Sequence, residues 1–92
     1  MIRRPYRLLH SATAARALAG RLPEKVAAAV VEFCNVDLLD APRRVGKRLH
    51  APLDDIWCAR RGSYRVLYKI DESQRVVLVL DIDYRGDIYR RR

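Results

Sequence analysis

The 92-residue chain reads as an α+β fold in the order strand, helix, helix, strand, strand, strand, with an antiparallel sheet carrying both helices on one face. Two observations support this. Val26, Val30, Phe33 and Cys34 recur at helical spacing, whereas from Asp55 onward apolar residues alternate with period two. Turn residues then cluster twice, at Arg61-Gly62-Ser63 and Glu72-Ser73-Gln74, which divides the second half into a three-stranded meander.

Each element has a local cause. Pro5 to His10 is a short apolar-leaning strand that ends at Ser11-Ala12-Thr13, where a hydroxyl can cap a helix. The Ala-rich residues 12 to 19 form that helix and Gly20 closes it. Pro23 suits the first turn of a second helix, and Glu24 lies beside its positive dipole end. This helix extends to about Leu39, before Asp40-Ala41-Pro42. Residues 40 to 54, with Pro42, Gly46 and Pro52 among four basic residues, read as a loop. Ile56 to Arg61, Tyr64 to Asp71 and Arg75 to Arg85 are the remaining strands. A three-residue loop would set Asp71 opposite Arg75, so that residues of like parity share a face across the last hairpin. Even positions Tyr64, Val66, Tyr68, Ile70, Val76, Leu78, Leu80, Ile82 and Tyr84 then form an uncharged core face. Odd positions place Arg65, Asp81, Asp83 and Arg85 around Leu67, Val77 and Val79, with Arg65 almost opposite Asp81.

Composition narrows the function. With 50% hydrophobic and 33% charged residues, the chain is expected to form a single globular domain over residues 1–92. It has no room for a separate cofactor-binding half, and no apolar run reaches the roughly 20 residues of a membrane span. Nineteen basic residues against eleven acidic ones give a net charge of +8, which favours a polyanionic partner. Sixteen of the nineteen are Arg, whose planar fork matches two phosphate oxygens. A membrane-surface helix would more naturally use Lys, so nucleic acid is expected and a membrane is not.

Cys34 and Cys58 lie in apolar stretches and read as buried free thiols of a reducing cytoplasm. Together with His10 and His50 they show no short ligand spacing, so no metal site is expected. Residues 1 to 23 lack acids, as transit peptides do, but Arg7 and Arg16 interrupt any secretory apolar core. They are read as the first strand and helix.

The bland reading of Arg65, Asp81, Asp83 and Arg85 is cross-strand ion pairing on a solvated face, worth about 0.2–1 kcal/mol per pair. It accounts less well for Leu67, Val77 and Val79 on the same face. Those residues would make a partly dry floor, suited to a guanidinium–phosphate contact or to a protein partner.

Specific motifs then appear in order. They are Val45-Gly46-Lys47-Arg48-Leu49 followed by Pro52-Leu53, then Ala59-Arg60-Arg61-Gly62-Ser63-Tyr64-Arg65-Val66-Leu67-Tyr68, and finally Ile82-Asp83-Tyr84-Arg85-Gly86-Asp87-Ile88-Tyr89-Arg90. With the Leu-Pro between the helices, the chain resembles the RelE toxins of bacterial type II toxin–antitoxin pairs, within the RelE/ParE superfamily. The resemblance spans nearly the whole chain and implies a RelE-like fold. It also implies a ribosome-dependent endoribonuclease that cuts messenger RNA in the A site by 2′-hydroxyl attack, with neither metal nor cofactor.

The resemblance assigns Arg65 to phosphate stabilisation and Arg85 to transition-state support or leaving-group protonation. Tyr89 becomes the general base or a stacking partner for a nucleobase. A phenol with an ordinary pKa near 10 needs neighbouring cations to act as a base, and Arg85, Arg90 and Arg61 are placed to supply them. Lys47, Arg48, Arg60, Arg61 and Arg90 are the further RNA- or phosphate-binding candidates. Two departures stand out: Trp57-Cys58-Ala59 occupies a strand where some relatives carry lysines, and Tyr84 stands where many have His.

An acidic, partly disordered antitoxin is the implied neutralising partner, alongside the ribosome and its mRNA. The alternatives are a ParE-like toxin that inhibits DNA gyrase by binding, and an inactive member whose charged face only docks a partner. The joint presence of Arg65, Arg85 and Tyr89 favours the nuclease.

Overall fold

A computed structural model describes residues 5–85. Five strands form one sheet in the order β1-β5-β4-β3-β2: β1 (Arg7–His10), β2 (Lys47–Arg48), β3 (Trp57–Arg61), β4 (Tyr64–Asp71) and β5 (Val76–Tyr84). Helix α1 (Ala12–Arg16) runs on into a π-helical turn (Ala17–Arg21), and α2 (Glu24–Phe33) into a second one (Cys34–Leu38). A four-residue helix, α3 (Pro42–Val45), precedes β2.

The α+β class and the order of the six expected elements are as read from the sequence, with three differences. The sheet is mixed, because β1 runs parallel to β5 while every other neighbour is antiparallel. The helices carry the chain from β1 to the far edge, and the meander then returns β5 to β1's side. Segment 40 to 54 is also not wholly loop, since it contains α3 and β2. Both are too short to show a period, and β2 exists only through its pairing with β3.

The third difference is register. Glu72 to Arg75 form a four-residue turn whose last residue, Arg75, has φ of 54°, so Asp71 faces Val76 rather than Arg75. Farther along, Leu67 pairs with Asp81 and Tyr68 with Val79, leaving Leu80 as a bulge residue without a partner on β4. A one-residue slip exchanges faces, and the bulge exchanges them back. Val77 and Val79 therefore lie fully buried in the core with Tyr68, while Ile82 stays on the core face with Val66, as expected. Ser11 secures the bulge: its hydroxyl donates to the Leu80 carbonyl at 2.6 Å and accepts from the Ala14 amide at 3.0 Å. One side chain thus caps α1 and satisfies a carbonyl at the bulge.

The core lies between the helices and one sheet face. Ala14, Ala17, Val30, Phe33, Cys34 and Leu38 pack against Ala59, Val66, Tyr68, Val77, Val79 and Ile82. The helical stripe read from the sequence is the buried one, with Val26 at its partly buried margin. Both cysteines are free as expected, but only Cys34 is buried, which pushes its thiol up to about 11. Cys58 is half-buried because it lines a cleft on the open face of the sheet.

The β3–β4 turn is Gly62-Ser63, with Gly62 at φ of 55°. A Cβ there would meet nothing within 4 Å, so Gly62→Ala isolates the backbone cost. We expect a loss of about 1–2 kcal/mol in chemical denaturation. Unchanged stability would refute a conformational requirement at this turn.

Candidate nucleic-acid interface

The face of the sheet away from the helices carries Arg60 and Arg65. β3 and β4 place Arg60 directly opposite Arg65, and β5 places Asp83 on Arg65's other side. Directly opposed like charges disfavour a strand pair. Asp83 offsets this by accepting from Arg65 Nη2 at 2.6 Å, a hydrogen bond that raises the guanidinium's pKa further. The carboxylate holds Arg65 by one nitrogen, which leaves most of its N–H fork available. Arg60, Arg65 and Arg85 line a cleft of about 70 Å³ together with Gly62, Ser63 and Tyr64. The Arg85 amide donates to the Ser63 carbonyl at 2.8 Å, tying the end of β5 to the turn beside the cleft.

An adjoining cleft of about 490 Å³ shares Arg60 and is otherwise lined by Arg44, Val45, Gly46, Lys47, Leu49 and Cys58. Lys47 lies opposite Cys58 in the β2–β3 ladder, which puts it on Arg60's side of the sheet. Arg48, one residue on, is turned away, and its Nε donates to the Asp54 carbonyl at 3.0 Å.

Several expectations change here. Arg61 points to the helix face, its guanidinium 4.8 Å above the Phe33 ring and 3.9 Å from Asp37. The dry floor expected from Leu67, Val77 and Val79 does not form, because both valines belong to the core. Asp81 faces Leu67 instead of Arg65, and it binds Arg21 at 2.9 Å. Tyr84 packs against the core, as parity implied. Tyr89 and Arg90 lie outside the described residues. The structure thus brings Arg60, Arg65 and Arg85 together and sets Lys47 next to them, while Arg48 and Arg61 are directed elsewhere.

Sequence reasoning missed Arg44. It neighbours Arg43, which is held by Glu72 at 2.9 Å and lies 5.7 Å over the Trp57 ring. No local pattern separates a paired arginine from an unpaired one beside it. Among the described residues, no three His, Cys, Asp or Glu are grouped to hold a metal ion, and no helix is long and apolar enough to cross a membrane.

Known proteins match this chain closely. The family model described as the ParE toxin of type II toxin–antitoxin systems matches residues 2–89. Toxin RelG of Mycobacterium tuberculosis is 48% identical over 87 residues, covering 95% of this chain and 99% of that protein. Toxin RelE of the same organism is 49% identical over 86 residues, covering 94% and 88%. The structure of the M. tuberculosis toxin–antitoxin complex RelBE2 superposes with a TM-score of 0.84 at 46% identity, covering 88% of this chain and 99% of that one. The E. coli RelBE complex, at 22% identity and a TM-score of 0.71, shares the fold. The chain therefore belongs to the ParE toxin family of type II toxin–antitoxin systems and is a RelE-like toxin.

Proposed function

We propose that the chain is a ribosome-dependent endoribonuclease that cuts messenger RNA in the A site by 2′-hydroxyl attack, without a metal or cofactor. The observation that supports this best is the convergence of Arg60, Arg65 and Arg85 on one small open-face cleft. In-line attack forms the 2′-oxygen–phosphorus bond and breaks the bond to the 5′ oxygen. The products are a 2′,3′-cyclic phosphate and a 5′-hydroxyl. Charge building on the non-bridging oxygens meets Arg65, and preorganised cations of this kind stabilise a transition state without rearranging. Arg85 supports the same charge or protonates the departing oxygen. Tyr89 takes the 2′ proton or stacks on a base.

The same basic face suits an acidic, partly disordered antitoxin as neutralising partner, which accords with the RelBE2 assembly of the M. tuberculosis relative. The site of action in this reading is the cytoplasm. A second reading, binding and inhibition of DNA gyrase, is favoured by the ParE name of the matching family model.

Induction in cells followed by mapping of mRNA 5′ ends separates the two. In-frame cuts within translated codons are expected. DNA damage without such cuts would overturn the nuclease reading.

A further inference from the structure

We propose that Arg44, Lys47 and Arg60 form a second phosphate subsite, which holds the backbone phosphate of a nucleotide flanking the scissile bond. The inference rests on the nuclease reading for the identity of its ligand and extends it from one phosphate to two.

Charge pairing supports it. Arg21, Arg43, Arg61, Arg65, Lys69 and Arg75 each sit within 4.0 Å of a carboxylate. The other described cations have no such partner; Arg7, Arg16, Lys25 and Arg48 lie elsewhere, whereas Arg44, Lys47, Arg60 and Arg85 line the two adjoining clefts. No acidic side chain lines either cleft. Four cations without a carboxylate partner, gathered around clefts that no acid lines, suit an external anion.

Geometry fits a neighbouring phosphate. Lys47 lies two strands across from Leu67, and Leu67 lies two residues along β4 from Arg65. Strand spacing of about 4.8 Å and a rise of about 3.4 Å per residue put the Lys47 and Arg65 backbones ~12 Å apart. Long side chains reaching inward from both ends shorten that gap, and Arg60 lies between the clefts as a shared wall. Gly46 matters here because a side chain at that position would fall 2.9 Å from the Cys58 carbonyl oxygen and hold β2 away.

A phosphate remote from the reacting bond is gripped alike in the ground and transition states. Loss of the subsite therefore falls on KM and not on kcat. The test uses short single-stranded RNA with a 2′-deoxy group at the scissile position and one backbone phosphate at a time replaced by a neutral methylphosphonate. With the wild-type protein, neutralising one flanking phosphate is expected to weaken binding about tenfold, the size of one charge-assisted contact.

The Arg44→Gln/Lys47→Gln double variant should start about tenfold weaker or more and ignore that same replacement. Its plot of log affinity against log salt should flatten by about 0.7, one phosphate's share on a single strand. Arg43→Gln, which removes a neighbouring cation already paired with Glu72, is the control and should leave RNA binding near wild type.

Wild-type affinity and salt slope in the double variant would overturn the subsite. So would an undiminished response to every flanking methylphosphonate. The two readings fail separately. Two-phosphate binding with no mRNA cuts in induced cells removes the nuclease and keeps the subsite; in-frame cuts with an indifferent double variant do the reverse.

Discussion

Arg65→Ala is expected to lower mRNA cleavage by about 10²–10³-fold while leaving the protein folded, the loss typical when one preorganised transition-state donor is removed. Arg65 is the central cation of the cleft, with Arg60 opposite it on β3 and Asp83 opposite it on β5. Its exposed bond to Asp83 contributes little to stability. Removing it also relieves the repulsion between facing guanidiniums. Stability should therefore stay within about 0.5 kcal/mol of wild type, as for other surface substitutions. The check is single-turnover cleavage of ribosome-displayed mRNA alongside a denaturation curve. Full cleavage in the variant would remove Arg65 from the chemistry, and a large loss of stability would make it structural instead.

Gly46→Ala is expected to cost about 2–4 kcal/mol, from overpacking together with a disturbed buried hydrogen bond. Tyr68 is fully buried, donates from its hydroxyl to the Pro42 carbonyl at 2.6 Å, and stacks on Trp57 at 6.4 Å. Burial raises its pKa, so the phenol stays neutral and keeps that proton for Pro42. A Cβ on Gly46 would collide with this hydroxyl and lie 3.1 Å from the ring carbon that bears it. Its other neighbour, the Cys58 carbonyl at 2.9 Å, is backbone within the sheet and cannot swing aside. In a domain of this size the melting temperature should fall by about 10 °C or more. Gly20→Ala, where a Cβ meets nothing within 4 Å, should cause no comparable loss. A melting temperature for Gly46→Ala within about 2 °C of wild type would show that the loop before β2 relaxes freely.

Much of this was legible in the residues because it depends on neighbours in sequence. Ser11 before an Ala-rich run, Pro23 with Glu24, and the apolar stripe of α2 specify where the helices start and which side they bury. Period-two alternation and Gly62 specify β3, β4 and their turn. The family motifs singled out Arg60, Arg65 and Arg85 before any cleft was known to join them.

Register was not legible, and the site depends on it. A positive φ at Arg75, which no glycine announced, added a residue to the last turn, and the Leu80 bulge then returned the strand to its expected phase. Side chains alternate every residue, so these two local events moved Val77 and Val79 into the core and set Asp83, not Asp81, against Arg65. The parallel placement of β1, the pairing of β2 and the choice of Arg43 over Arg44 for Glu72 came from contacts between distant segments. The chain alone therefore determined six of the elements, where most of them begin, and a surplus of arginine. Long-range packing determined which arginines are neutralised and which stand open together, because a charge's partner is chosen across the fold and not along the sequence.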